Sequence, residues 1–141
     1  MASDDDAQAF LLHRYTRREA IADGFLIDVT DQARAEGLGL PTAVTVAVWE
    51  ECIEPAPEAR RGFTASDEEH HVRLTTVLTA AAQAMTPDQQ APAPAGTTGS
   101  RTATFQATAV QGPTMVELRV ALTMEGDNGQ PVLTIMRSDE D

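Results

Sequence analysis

The hydrophobic period of the chain changes once along its length, and this change constrains the fold more than any other feature. Before the change, large apolar residues recur every three or four positions, as on one face of an α-helix: Leu74, Val77, Leu78, Ala81 and Met85. After it, apolar residues alternate with polar ones, as in a strand with one buried face: Val116, Leu118, Val120, Leu122 and Met124. Helices followed by strands predict an α+β domain.

Three strands are predicted in the C-terminal part of the chain. Residues 102–110 and 116–124 alternate, and Asp127-Asn128-Gly129 is a hairpin signal because asparagine and glycine accept positive φ. Pro131 opens a strand over residues 132–136, since the start of a strand tolerates a missing N–H donor. These short connections predict a three-stranded antiparallel β-meander. We expect the short N-terminal helices and the longer amphipathic helix to pack on it.

Capping signals place the starts and ends of the helices. Residues 16–19 (Thr-Arg-Arg-Glu) and 66–69 (Ser-Asp-Glu-Glu) are capping boxes, in which two side chains satisfy each other's unpaired backbone donors. The first box predicts a short helix that stops at Asp23-Gly24, and the second begins the long amphipathic helix. Between them, Thr30 caps a second short helix that Gly37 ends.

A third helix is predicted from Pro41 to Glu54. Val44, Val48 and Cys52 are four apart and share one helix face. The same stretch begins with alternating β-branched residues, so a strand is the alternative. Three glutamates near its end would be out of place in a buried strand, which favours the helix.

Length and composition predict one domain. The chain has 141 residues, and we expect a flexible acidic tail over residues 1–12 and a single α+β domain over residues 13–141. Residues 86–101 are rich in proline, glycine and polar side chains, which predicts a flexible loop within that domain. We expect no membrane association, because no apolar run approaches a membrane span. The N-terminus is acidic where a signal peptide is basic, so a cytoplasmic location is expected.

The charge balance argues against direct nucleic-acid binding. The chain has twenty-two acidic residues and ten arginines, which gives a net charge of −12. The chain therefore lacks the basic stripe that binds phosphates. The acidity itself suggests an alternative, in which the protein imitates DNA and inhibits a host nuclease or defence system of the anti-CRISPR or anti-restriction type.

Few residues qualify as a chemical site. Asp67 and His71 lie four apart, the spacing of two metal ligands on a helix, but this position also suits a capped helix start. Cys52 has glutamate neighbours that disfavour a thiolate. We therefore predict no catalytic residue and no cofactor, with Asp67 and His71 as weak metal candidates. The predicted structural core comprises Trp49, Cys52, Leu74, Leu78, Leu118, Val120 and Ile135.

Four motifs resemble a family of small bacterial proteins of unknown function carried on plasmids, integrative elements and phages. They are Tyr-Thr-Arg at residues 15–17, Ala20 to Thr30, Val-Trp-Glu-Glu-Cys at 48–52, and the ending from Gly126 to Met136. The chain departs at residues 74–78, where the family has Leu-Trp-Asp-Val-Leu and this chain reads Leu-Thr-Thr-Val-Leu. The resemblance implies a mobile-element context and no particular reaction.

These observations favour binding over catalysis. We expect a non-enzymatic accessory protein of a mobile genetic element that acts through an unidentified protein partner. The alternatives are the DNA mimic and a metal-dependent enzyme using Asp67 and His71. The sequence carries no signal for the oligomeric state.

Overall fold

The computed structural model of the chain describes residues 16–54, 67–86, 101–110, 114–124 and 129–140. These ranges contain four α-helices, one π-helical turn and five strands that form one sheet in the order β1-β2-β5-β4-β3. In chain order the elements are α1 (Arg17–Ala22), β1 (Leu26–Asp28), α2 (Thr30–Ala35), β2 (Thr42–Thr45), α3 (Val46–Val48), the π-helical turn (Trp49–Ile53), α4 (Asp67–Ala84), β3 (Arg101–Thr108), β4 (Met115–Thr123) and β5 (Val132–Arg137).

The sheet is mixed, so the prediction of a three-stranded antiparallel meander is wrong. The antiparallel series β3-β4-β5 is present, but β2 pairs with β5 in parallel and β1 pairs with β2 antiparallel. The physical reason lies in β5, where four consecutive residues, 132–135, are buried. A strand buried on both faces belongs inside a sheet, and the meander would have left it at an edge.

The predicted helix from Pro41 to Glu54 is also corrected. The segment divides into β2, α3 and the π-helical turn. Of the alternating stretch at residues 44–48, Val44 and Thr45 lie in β2 and Val46–Val48 form α3, whereas the glutamates that argued for a helix lie in or just after the π-helical turn. Thr45 marks the boundary, because its side chain accepts a hydrogen bond from the Val48 N–H.

The predicted helix caps agree more closely with the structure. Thr16 is the N-cap of α1 and accepts from the Glu19 N–H at 3.0 Å, which confirms the first capping box. Gly24 and Gly37 follow α1 and α2 with φ of 84° and 97°, conformations that glycine adopts without strain. At α2 the cap is displaced by one residue: Val29 is the N-cap, and Thr30 is the first helical residue.

The core lies between α4 and one face of the sheet. The amphipathic helix runs over Asp67–Ala84, as predicted, and its apolar face is buried. On β4 and β5 the core side chains alternate along each strand, because successive residues point to opposite faces. They form one cluster: Leu74, Val77, Leu78, Ala81, Met85, Leu118, Val120, Leu122, Leu133 and Ile135.

Some predictions fall outside the described residues. The acidic tail, the turn before β4 and most of the predicted loop and of the Asp127-Asn128-Gly129 turn lie there. Among the residues that the structure describes, no helix combines the length and the hydropathy needed to cross a membrane.

Candidate functional site

The predicted metal pair lies at the start of α4. Asp67 is the first residue of this helix, and His71 is exposed one turn later. A stable metal site in a protein needs further ligands. In the described ranges, no group of three or more histidine, cysteine, aspartate or glutamate residues is placed to hold a metal ion.

The neighbouring His70 has a packing role at the same helix start. Its ring meets the Trp49 ring edge-on, with centroids 6.4 Å apart, and its Nε2 lies 3.9 Å from a Glu54 carboxylate oxygen. Arg73 donates to the Ile53 carbonyl oxygen at 3.1 Å. Through these contacts, the start of α4 packs against the π-helical turn and the residue after it. Trp49 is partly buried and packs against the core cluster.

Cys52 is buried in the core cluster, with 2% of its surface exposed. Burial, as the main cause, and the Glu51 carboxylate together raise the pKa of its thiol from 9.0 to about 11, while Arg137 acts in the opposite direction. A nucleophilic cysteine needs a thiolate. The thiol is therefore protonated and covered at neutral pH.

The remaining predicted core residues all lie in the same buried cluster. They come from the helix and from two strands of the sheet: Leu74, Leu78, Leu118, Val120 and Ile135.

A different feature stands out at the edge of the sheet, which is occupied by β3. This strand pairs with β4 without interruption over eight positions, from Arg101 opposite Leu122 to Thr108 opposite Met115. Within the part of the chain that the structure describes, no strand pairs with the other side of β3. With eight residues, β3 is longer than the commonest strand length of about five or six.

The backbone groups that β3 directs outward follow from its pairing. Just beyond the strand, the Ala109 N–H donates to the Thr114 carbonyl oxygen at 2.8 Å. Hydrogen-bonded and non-bonded positions alternate in an antiparallel pair, so the odd-numbered residues of β3 bond to β4. The even-numbered residues then point their N–H and C=O groups away from β4. Their side chains are all exposed: Thr102, Thr104, Gln106 and Thr108.

The strand β3 itself carries few of the features that protect sheet edges against pairing. Edge strands in proteins are blunted by proline, by charged side chains, by bulges or by shortness. β3 contains no proline, its register with β4 has no bulge, and its one charge, Arg101, is at its first position. On the core side, Phe105 is only partly buried. An added strand would pair with the backbone and cover this ring.

A second feature lies toward the opposite edge of the sheet. A cavity of about 290 Å³ opens where α1, the end of β1 and the starts of α2, β2 and β5 meet. Its apolar lining comes from Ile21, Pro41 and Val132. Its polar lining comes from five side chains: Arg17, Arg18, Asp28, Thr30 and Gln130.

Hydrogen bonds hold the polar wall of this cavity in place. Arg17 donates through one terminal nitrogen to the Thr134 hydroxyl at 2.7 Å and through the other to the Leu133 carbonyl oxygen at 2.5 Å. The Asp28 carboxylate accepts from the Thr30 N–H at 3.0 Å and from the Thr30 hydroxyl at 2.5 Å. These bonds join α1 to β5 and the end of β1 to the start of α2.

The sequence analysis did not identify this cavity. It assigned Arg17 only to a helix start, because nothing local indicates that its side chain reaches a strand far along the chain. The available signal was the resemblance, whose first and last motifs contain Arg17 and Thr134.

In the ranges that the structure describes, the fold is α+β with a mixed sheet, in which β3 lies at one edge and a polar cavity lies toward the other. Residues 6–141 match the model of a family described as a family of unknown function (DUF6573). The chain belongs to this family, which confirms the expected membership of a family of uncharacterised domains. No curated protein and no solved structure matches the chain.

Proposed function

We propose that this protein is a non-enzymatic binding protein that captures an extended segment of a partner protein along the open edge of β3. The observation that carries the proposal is the length of this edge strand, its unbroken register with β4 and its lack of proline and of central charges. Extended segments add to such edges through main-chain hydrogen bonds, and alternate side chains supply specificity.

The side chains on the two faces of β3 support this mode of binding. On one face, the partner's side chains would meet Thr104 and Gln106, which offer hydroxyl and amide groups. On the other face, they would cover the partly buried ring of Phe105 and gain apolar contact. The expected partner segment therefore alternates polar residues with large apolar ones.

The titratable side chains support binding rather than catalysis. The Cys52 thiol is buried with a raised pKa, and His70 is packed between Trp49 and Glu54. An enzyme that used Asp67 and His71 would need further ligands near the start of α4, and the described residues offer none.

The proposed setting is the cytoplasm of a bacterium that carries a mobile genetic element, where the protein serves as an accessory factor. The sequence resemblance supports the mobile-element context. The free and buried Cys52 suits a reducing compartment, in which structural disulfides are rare.

Proline substitution on β3 tests the proposal. Thr104→Pro removes an outward N–H without breaking a bond to β4, so the protein should fold and lose strand capture. Thr104→Val is the matched control, because it keeps the N–H and a β-branched side chain. The probe is a peptide selected from a display library against the native protein. Hydrogen exchange should slow at residues 102–108 when the peptide binds.

A selected peptide that binds the folded Thr104→Pro variant as tightly as the parent, or that protects amides away from β3, would exclude the edge. Salt separates strand capture from charge mimicry. Strand capture should persist at high ionic strength because the outer face of β3 is uncharged, whereas recognition of the acidic surface would weaken steeply.

A further inference from the structure

We propose that Glu117, on the strand next to β3, selects a partner segment that carries a lysine or arginine beside Gln106. This selectivity rests on the proposed function, because only a segment that pairs with β3 comes within reach of Glu117. It adds the chemistry of one partner side chain to the main-chain pairing, and it makes the expected partner basic at a defined position.

Glu117 lies on the exposed face of β4, in the row of residues next to the edge strand. It is directly opposite Gln106 in the antiparallel register, and both residues are exposed. The two form a non-hydrogen-bonded pair between β3 and β4, in which facing side chains lie close together. A residue added opposite Gln106 would be two strand spacings, about 10 Å, from Glu117. The long side chains of lysine and arginine, extended toward the glutamate, span that distance.

The carboxylate of Glu117 is available to a partner. Within the described part of the chain it takes part in no hydrogen bond or ion pair, and the Ser138 N–H bonds to its main-chain carbonyl oxygen instead, at 3.1 Å. The one basic residue of β4, Arg119, is two positions along on the same face. Its Nη2 donates to the Glu140 carbonyl oxygen at 2.7 Å and lies 3.0 Å from the Met136 sulfur. These contacts hold the guanidinium group toward β5 and away from β3.

Backbone pairing alone does not fix where a segment lies along β3. The outward positions carry similar uncharged side chains, threonine or glutamine, and a strand with such a face has a weakly specified register. The one charge on β3, Arg101, is at the far end and on the opposite face, across from Leu122. A basic residue that meets Glu117 therefore distinguishes one register from the registers shifted by two residues, in which it would lie beside Thr104 or Thr108.

The charge of the whole chain acts in the same direction. The net charge of −12 attracts a basic segment and speeds its encounter with the protein. An exposed ion pair contributes little affinity, so Glu117 acts mainly by discrimination. A lysine or arginine beside Gln106 gains several-fold in affinity over a neutral residue, and an aspartate or glutamate at that position is repelled.

The experiment selects peptides from a random eight-residue display library against the parent protein and against two variants, Glu117→Gln and Glu117→Lys. Only peptides that fail to bind the Thr104→Pro variant are scored, because they require the β3 edge. The parent should enrich lysine or arginine at one polar position of these peptides. Glu117→Gln should lose this enrichment, and Glu117→Lys should replace it with aspartate or glutamate. A selected basic peptide should bind the parent up to about fivefold more tightly than Glu117→Gln.

Glu68→Lys is the matched control. It makes the same change of charge at an exposed residue of α4, which packs on the core face of the sheet, and it should keep the enrichment of the parent. The proposal is overturned if the scored peptides show no basic enrichment, if Glu117→Lys retains it, or if Glu68→Lys reverses it equally. Failure to select any peptide that depends on the β3 edge would overturn strand capture as well, and this outcome differs visibly from a loss of the basic preference alone.

Discussion

The two edges of the sheet differ in almost every property that controls strand pairing. β1 has three residues, ends in the charged Asp28, and is flanked by the helices α1 and α2. β3 has eight residues in unbroken register with β4, and its outer face carries threonine and glutamine. The β1 edge is therefore blunted by shortness and charge, whereas β3 has neither feature, and no strand in the described part of the chain pairs with its outer side.

The β1 edge shows that an edge of this sheet can be blunted. The chain blunts β1 by means that proteins commonly use, so the same means were available for β3. The net charge of −12 opposes self-association through the open edge, because two copies repel each other. An exposed edge on a strongly charged protein remains accessible to a partner of different charge.

The largest expected effect contrasts the centre of the sheet with its open edge. Ile135→Pro places proline in β5, which pairs with β2 and β4, and removes a buried side chain. We expect a loss of about 3 kcal/mol or more, enough to unfold a marginal domain. Thr104→Pro should cost far less.

Denaturant unfolding of both variants measures this contrast. Equal losses of stability would mean that the β3 edge is paired in the folded protein, which would contradict the comparison of the two edges.

The next effect concerns the π-helical turn that anchors the end of β3. The Glu51 carbonyl oxygen accepts from the Val110 N–H at 2.7 Å, and Cys52 is buried beside it. The folded state raises the pKa of the Cys52 thiol from 9.0 to about 11. Because the thiol pKa is higher in the folded state, the protonated thiol stabilises the fold at pH values below the unfolded-state pKa. This contribution is lost as pH rises from about 9 through about 11.

We expect this loss to be roughly 2 kcal/mol, measured as the free energy of unfolding against pH. Cys52→Ala is the control and should lack this part of the pH dependence. A native thiol that reacts rapidly with a labelling reagent at neutral pH would show that the turn does not cover Cys52.

The smallest effect concerns the β1 edge of the sheet and the helix α1 beside it. Arg17→Ala removes both hydrogen bonds between α1 and β5, and it leaves the buried Thr134 hydroxyl without that donor. We expect a loss of about 1 kcal/mol. Hydrogen exchange should accelerate at α1 and β1, while β3 and β4 remain as protected as in the parent.

Arg17→Lys tests the geometry of this anchor, because a single ammonium group replaces two fixed donors with one flexible one. Recovery of full stability and full β1 protection by lysine would show that charge alone, rather than the paired bonds, holds α1 on the sheet.

Local signals predicted local structure in this chain. The capping box at Thr16 and the glycine after α1 act within a few residues of the helix that they bound. The period of α4 and the alternation of β4 record which side chains face the core. Each of these features is readable because its cause lies in the same stretch of sequence.

The strand β2 shows where this reading fails. Its four residues are too few to show a hydrophobic period of their own. The helical residues that follow it fit a helix pattern that also includes Val44, so the predicted helix began too early. Its pairing with β5 joins residues far apart in the chain, such as Val44 and Ile135. No local preference distinguishes that partner from another buried strand.

The sequence by itself determined the α+β class, the long helix, the three C-terminal strands and the core positions on them, because periodicity and capping act over short distances. Only the tertiary structure decided the strand order, and with it the open edge of β3 and the cavity where Arg17 meets Thr134. The physical reason is that an edge and a cavity belong to no single segment. They are set by which elements pack together, and that choice depends on buried contacts summed over the whole domain.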